Sequence, residues 1–544
     1  MIKRWAPLLV FLISLALLTV NLNLQVNSYD EGLMGVGAVR VLEGELPYRD
    51  FYTFYPPGQF YLLASVYQLL GVSIIAGRMA DVVIMGALMV VVFLLVRLLA
   101  GEAMAWVGWV LALCWRVWPP IPISLHPAML LSMASLLCVI LFLQRGGRWL
   151  LPAGLLVGLA ALFRHDLAGY TAVAVLIVLP FYLWRQGLGQ RRLMEFLGGV
   201  AVVLLPVAAY FVVKVPWEEL VFAFYTIPFK LYLGAASAGF PTPMNTPYEL
   251  ESWWALLAPR QAWAVFRYLW AFYFPLLVCL AGLVWLVANW RGGQAGEHIP
   301  RWSVALLLLT ALFHFNYLRS HIDFWHMWPF AIVISALFGV VVGRVWAYQG
   351  KRRRARGVGL ALAGLALVPL VGPQAADWLA WLRYARSVSP EAEFAIPRAR
   401  GIIMEPGDRG MQAAVAWILE NVPPQESIFV AHYRNDLVLG TNMMVYFLAQ
   451  RPIPTRFHAM DQGITTTPES QRGIIRELEE HGTRYVVLDY APTMPRGAVP
   501  GSRLLDEYLA EHFRSERIFP CPEAWWKALE ILVRKDTVSS GAAP

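Results

Sequence analysis

Long apolar runs restrict this chain more than any other feature. They follow one another from Trp5 to about Gly372, separated by short polar joints. A bilayer span needs roughly 20 mostly apolar residues, and its backbone groups must pair within the segment, so each run reads as a helix. The runs lie near 5–24, 73–98, 103–119, 127–144, 149–163, 168–185, 193–213, 263–290, 302–318, 324–346 and 357–372, with 149–163 and 357–372 the shortest. From Pro373 to Pro544 the pattern is that of soluble protein. The expected fold class is an α-helical polytopic membrane protein of about eleven transmembrane helices, residues 1–372, followed by a soluble α/β domain, residues 373–544.

Met1-Ile-Lys-Arg followed by the run Trp5–Val20 has the outline of a signal peptide. The run exceeds the usual ~7–15 residues of such segments, and Asn21-Leu-Asn-Leu-Gln offers no small-residue cleavage site, so an uncleaved first span is expected. Charge then orients the helices. Lys and Arg collect in cytoplasmic loops. With the N-terminus inside, the cytoplasmic joints carry Lys3 and Arg4, Arg97, Arg145 and Arg148, Arg185 to Arg192, Arg291 and Arg301, and the basic run Arg344 to Arg356. The net charge of +8 is thus explained by membrane loops, and nucleic acid is not an expected partner. The four cysteines form no metal or disulfide spacing.

This orientation places segments 25–72 and 214–262 and the C-terminal domain on the outer side. A second set of polar residues falls there, including Asp30, Glu31, Arg49, Asp50, Arg116, His126, Arg164, His165, Asp166, Lys214, Lys230, Arg319, His321, Asp323 and His326. Any one of them can be an idle interfacial residue. Together they point to a polar cavity, because ionisable groups near a membrane face an interior with partners. His126 reads as interfacial, and Trp115-Arg-Val-Trp-Pro-Pro-Ile-Pro as an aromatic belt.

The first outer segment is the most informative. Asp30-Glu31 follows the first span by a few residues, Leu33–Leu42 has the spacing of a short helix, and Gly44-x-x-Pro47-Tyr48-x-Asp50-Phe51 leads to Pro56-Pro57-Gly58. Phe60–Leu70 is apolar but too short to span, and is expected to lie along the interface. These motifs, with Leu318-Arg-Ser-His-Ile-Asp-Phe-Trp-His-Met-Trp-Pro and the stretch from Tyr446 to Tyr490, resemble the GT-C superfamily of membrane glycosyltransferases. The nearest pattern is that of the bacterial relatives of protein O-mannosyltransferases and lipid A aminoarabinose transferases. The resemblance implies an enzyme of the bacterial cytoplasmic membrane. It would move a sugar from a polyprenyl-phosphate carrier to a lipid, glycan or protein hydroxyl at the outer face. It also implies that the first-loop acid, Asp30 with Glu31 beside it, is catalytic. A second Asp-x-Asp or Glu-x-Asp motif is not evident, so a divalent metal stays open, with Asp30, Asp323 and His326 as its candidate ligands.

The chemistry suits such residues. A lipid phosphate leaves without protonation, so an inverting transfer needs one base and positive charge, unlike the carboxylate pair of most glycoside hydrolases. Asp30 is the candidate base; its bland role is to cap the first interfacial helix. Arginine matches phosphate with its planar fork. The candidates for binding donor and phosphate are Arg49, Asp50, Arg164, His165, Asp166, Lys230, Arg319, His321, Asp323 and His326. Asp323 and His326, three apart, would share a helix face. In the soluble domain, 410–421 and 469–481 read as helices and 427–431, 485–488 and 528–534 as strands. His432, His458 and Asp461 read as structural. Two other classes compete: a lipid or glycolipid flippase, for which inverted repeats would speak, and a non-catalytic assembly protein of the same fold.

Overall fold

The computed structural model describes residues 2–115, 120–232, 240–246, 254, 257–290, 301–318, 322–348, 353–387, 392–494, 499–524 and 526–535. Each apolar run coincides with a helix. These are α1 (Ile2–Leu18), α4 (Ile74–Ala100), α5 (Glu102–Cys114), α6 (Leu125–Arg145), α7 (Leu150–Ala161), α8 (His165–Arg185), α9 (Arg191–Lys214), α11 (Pro259–Trp290), α12 (Arg301–Leu318), α13 (Phe324–Tyr348) and α14 (Arg353–Ser387). Among the described residues six of them, α4, α6, α8, α9, α11 and α13, are long and apolar enough to cross a membrane. Helix α14 continues past residue 373 to Ser387.

Small residues set the tightest helix contacts. The Gly154-x-x-x-Gly158 face of α7 lies directly on α9, where a Cβ on Gly154 would sit 2.0 Å from the Phe196 carbonyl oxygen. Lipid supplies no hydrophobic drive between helices, so close backbone packing of this kind is what holds a bundle together.

The connection between α1 and α4 forms two short helices, α2 (Asp30–Leu42) and α3 (Gly58–Leu70). After α9 come α10 (Trp217–Val221) and a π-helical segment, Phe222–Tyr232. The soluble domain holds α15 (Asp408–Asn421), β1 (Ile428–His432), α16 (Met443–Ala449), α17 (Pro468–Glu480), β2 (Tyr485–Asp489), α18 (Leu504–His512), β3 (Phe513–Pro520) and β4 (Ala528–Arg534). The sheet order is β1-β2-β4-β3. Strands β1 and β2 are parallel, and β4 runs antiparallel to both β2 and β3. Sequence pattern located β1, β2, β4, α15 and α17. It missed β3, whose central residues are exposed, and it missed α16, which is buried on every side and so carries no amphipathic period. Buried Arg451 closes the ends of α15 and α16, donating to the Val422 and Ala449 carbonyls, a cation where helix dipoles end.

The soluble domain and the first loop share one core. Leu33, Met34, Val36, Phe51 and Phe60 pack in a single cluster with Met411, Met443, Met444, Phe447 and Val487. Helix α2 can approach α16 because Gly32 has no side chain: a Cβ there would stand 2.4 Å from the Met444 amide nitrogen and 2.6 Å from the Met443 carbonyl carbon. The Met444 amide also donates to the Ser28 carbonyl at 2.9 Å. Backbone cannot yield as a side-chain tip can, so Gly32→Ala should cost about 1–3 kcal/mol, the usual range for overpacking. The expected readout is a lower melting temperature in detergent together with faster limited proteolysis between the membrane bundle and the soluble domain.

Candidate functional site

Helix α2 starts at Asp30, and the start is built by Asn27. The Asn27 side-chain oxygen accepts the amides of Tyr29, Asp30 and Glu31 at 3.2, 2.7 and 3.4 Å. It thereby satisfies donors that every helix N-terminus leaves open. Capping is therefore done by Asn27, not by Asp30, and the Asp30 carboxylate makes no hydrogen bond with any described residue. The carboxylate is only partly exposed. Burial raises its pKa above the ordinary carboxylate value; the charges of His326 and Arg164 oppose the rise, and that of Asp323 adds to it.

Glu31 points elsewhere. Successive helix residues project about 100° apart, and Glu31 enters a buried pair with Arg78 of α4. The pair is bidentate, Nε to Oε1 at 2.7 Å and Nη2 to Oε2 at 2.8 Å. The remaining Arg78 donors go to the carbonyls of Leu22, Leu24 and Gln25. All five guanidinium N–H groups are thus used, which is what a fully buried arginine requires. Glu31, a candidate catalytic residue by sequence, belongs to the frame of the loop.

The groups around Asp30 come from distant parts of the chain. Arg164 sits at the α7–α8 junction, held by Asp166 through Nε at 3.0 Å and Nη2 at 2.7 Å. Two tyrosines flank it: its guanidinium carbon lies 5.7 Å from the Tyr55 ring centre and 5.0 Å from that of Tyr317. Such contacts hold a cation by its attraction to the ring face. Tyr55 is placed by the Pro56-Pro57-Gly58 turn, whose Gly58 amide donates to the Leu162 carbonyl, two residues before Arg164, at 2.7 Å. Asp323 caps α13, accepting the His326 amide at 2.8 Å, and its carboxylate also meets His326 Nδ1 at 2.9 Å. The His326 ring lies 5.0 Å from Tyr317.

The structure thus gathers Asp30, Arg164, Asp166, Asp323 and His326 of the sequence candidates, and adds Tyr55 and Tyr317. Tyr55 stands just before Pro56-Pro57-Gly58, and Tyr317 just before Leu318-Arg319; only an aromatic beside each motif hinted at either. The other candidates fall outside the cluster. Arg49 and Asp50 pair with each other on an exposed turn, Nη2 to Oδ2 at 2.7 Å. His165 is exposed and turns to Phe224 of the π-helical segment, ring centres 6.0 Å apart. Lys214 is exposed at the end of α9. His126 is buried rather than interfacial, against Asp81 of α4 at 2.7 Å. Arg116, Arg319, His321 and the side chain of Lys230 lie outside the described residues. Asp30, Asp323 and His326 do not converge as a ligand set: among the described residues, no group of three or more His, Cys, Asp or Glu side chains could hold one ion.

Residues 55–214 match the family model described as dolichyl-phosphate-mannose-protein mannosyltransferase. No curated protein sequence matches the chain. Among solved structures, ArnT from Cupriavidus metallidurans bound to undecaprenyl phosphate superposes with a TM-score of 0.57 at 15% identity, covering 100% of this chain and 99% of that one. The same protein in its apo state gives 0.55 at 13%, covering 99% of each chain. The archaeal oligosaccharyltransferase AglB from Archaeoglobus fulgidus, in complex with an inhibitory peptide and a dolichol-phosphate, gives 0.50 at 12%, covering 95% of this chain and 80% of that one. The fold is that of the GT-C membrane glycosyltransferases.

The two neighbouring acids should separate in stability. Glu31→Ala leaves Arg78 charged, buried and uncompensated, a change that costs about 3–5 kcal/mol. Asp30→Asn should melt at the wild-type temperature or above it near neutral pH. The raised pKa of Asp30 means that its ionisation opposes folding once pH exceeds the ordinary carboxylate value, and the amide removes that penalty. Thermal unfolding of both variants in one detergent checks the contrast.

Proposed function

We propose that the chain is an integral membrane glycosyltransferase that transfers a sugar from a polyprenyl-phosphate carrier to a hydroxyl of a lipid, glycan or protein. The reaction takes place at the outer face of a bacterial cytoplasmic membrane, with the N-terminus inside. The observation that carries the reading is Asp30: a carboxylate relieved of capping, with a raised pKa, electrostatically coupled to Arg164 and His326. The matched family and the fold shared with a protein that binds undecaprenyl phosphate support the donor class.

The chemistry is an inverting displacement. Asp30 takes the proton of the acceptor hydroxyl as the acceptor oxygen bonds to the anomeric carbon of the sugar. The bond from that carbon to the phosphate oxygen breaks, and the lipid phosphate departs with the electron pair. Desolvation keeps Asp30 more basic than a free carboxylate, which strengthens it as a base. Arg164 supplies positive charge near the departing phosphate, its orientation fixed by Asp166 and by the rings of Tyr55 and Tyr317. His326, held by Asp323, adds a hydrogen-bonding group beside Tyr317.

Membranes carrying wild type and Asp30→Asn at equal expression, supplied with a panel of radiolabelled polyprenyl-phosphate sugars, test the reading. The expected result is carrier consumption by wild type and a rate about 10²–10⁴-fold lower in the variant, the usual weight of a general base. Wild-type turnover should fall on the acid side through the raised pKa of Asp30, above the ordinary carboxylate range, because the base must be ionised. Consumption of no carrier by wild type, with lipid moved across vesicles by the purified protein, would replace the enzyme by a flippase.

A further inference from the structure

The residue before the base makes the longest-range tie in the site. The Tyr29 hydroxyl donates to Asp461 Oδ1 at 2.8 Å, across 432 positions of chain. Asp461 is a fixed post. It is buried in the soluble domain, its amide donates to Thr465 Oγ1 at 2.9 Å, and its carbonyl accepts the Thr465 amide at 3.0 Å. The other side of Tyr29 is closed by Gly440, where an added Cβ would stand 3.1 Å from the tyrosine ring. Tyr29 is also the N-cap residue of α2, so the pose of its side chain and the direction of the Asp30 peptide are set together.

We infer that Asp461 is a positioning residue: acting through the Tyr29 hydroxyl, it holds the first turn of α2 so that the Asp30 carboxylate faces the Arg164–His326 cluster. The inference rests on the reading of Asp30 as the base. It gives the soluble domain a part in the transfer that needs no contact with donor or acceptor. The geometry has a simple cause. Asn27 fixes the backbone amides of the turn, and the Glu31–Arg78 pair anchors it toward α4. The Asp461 acceptor, at the end of the Tyr29 side chain, adds the anchor from the soluble domain. Misplacement of a reacting group by about 1 Å can cost on the order of 10²-fold in rate, so a modest tilt is enough to matter.

Single-turnover and steady-state transfer should be measured in the full-length protein for Tyr29→Phe, Asp461→Ala, Asp461→Asn and the double variant Tyr29→Phe/Asp461→Ala, beside Asp30→Asn. Tyr29→Phe removes one hydroxyl and keeps the packed ring, so it reports even if Asp461→Ala fails to fold. The expected result is a kcat about tenfold lower in Tyr29→Phe and Asp461→Ala, with the KM for donor within about twofold of wild type. The double variant should be no slower than either single one, because the two changes break one bond. Asp461→Asn, which keeps an acceptor oxygen, should retain most of the activity. Wild-type kcat in Tyr29→Phe, or losses that multiply in the double variant, would overturn the positioning role while leaving the base in place. Full activity in Asp30→Asn would remove the base reading, and the positioning role with it.

Discussion

A single buried ion pair sets the frame on which the candidate site is built. Arg78 rises from α4 with no exposed surface, and Glu31 answers its charge. In a low-dielectric interior an unpaired charge is costly. Each therefore requires the other, and the three loop carbonyls that complete the guanidinium's bonds fix the chain between α1 and α2. The same segment is paired with the soluble domain, where the Ile403 amide donates to the Asn23 carbonyl at 2.8 Å. Membrane helix, loop and soluble domain thus meet at one arginine. Asp30 gains part of its orientation from this, because its neighbour is locked into the frame.

Much of this was legible in the sequence because apolar length and period are local properties. Every run read as a span is a helix, and the short helices at 30–42 and 58–70 stand where their spacing put them. Partnership is not local, and there the sequence was silent. Asp30 and Glu31 are adjacent acids with the same chemistry; only the position of Arg78, 47 residues on, tells which one is spent on structure. Asp461 looked like an ordinary polar residue of the soluble domain, since nothing near it in the chain mentions Tyr29. His126 read as interfacial from its place near the outer end of a span; its partner Asp81, 45 residues earlier, could not be read from that place. Tyr317 could be placed beside Arg164 only by the packing of α12 on α8. The core that the soluble domain shares with the first loop is likewise a matter of partners far apart in the chain.

Around Asp30 the basic side chains already have carboxylate partners. Arg164 is met by Asp166, and His326 by Asp323, before any substrate arrives. Paired side chains keep their direction, and two aromatic rings flank Arg164 as well. Such preorganisation lowers the cost of arranging the site at the moment of reaction. Asp30, the acid of the group without a hydrogen-bonding partner among the described residues, has its proton affinity raised by burial.

The shared core has a consequence for how the protein is made. Helices α2 and α3 emerge early in synthesis but have little of their own to bury; their apolar faces are covered by residues of α15 and α16. Domains that close on themselves can finish in order from the N-terminus. This one cannot, because α16 leaves the ribosome some 400 residues after α2. Until then the apolar faces of the first loop lack their cover. A nascent or truncated chain, though fully inserted, would therefore carry every candidate side chain of the membrane part on a loop whose core is incomplete.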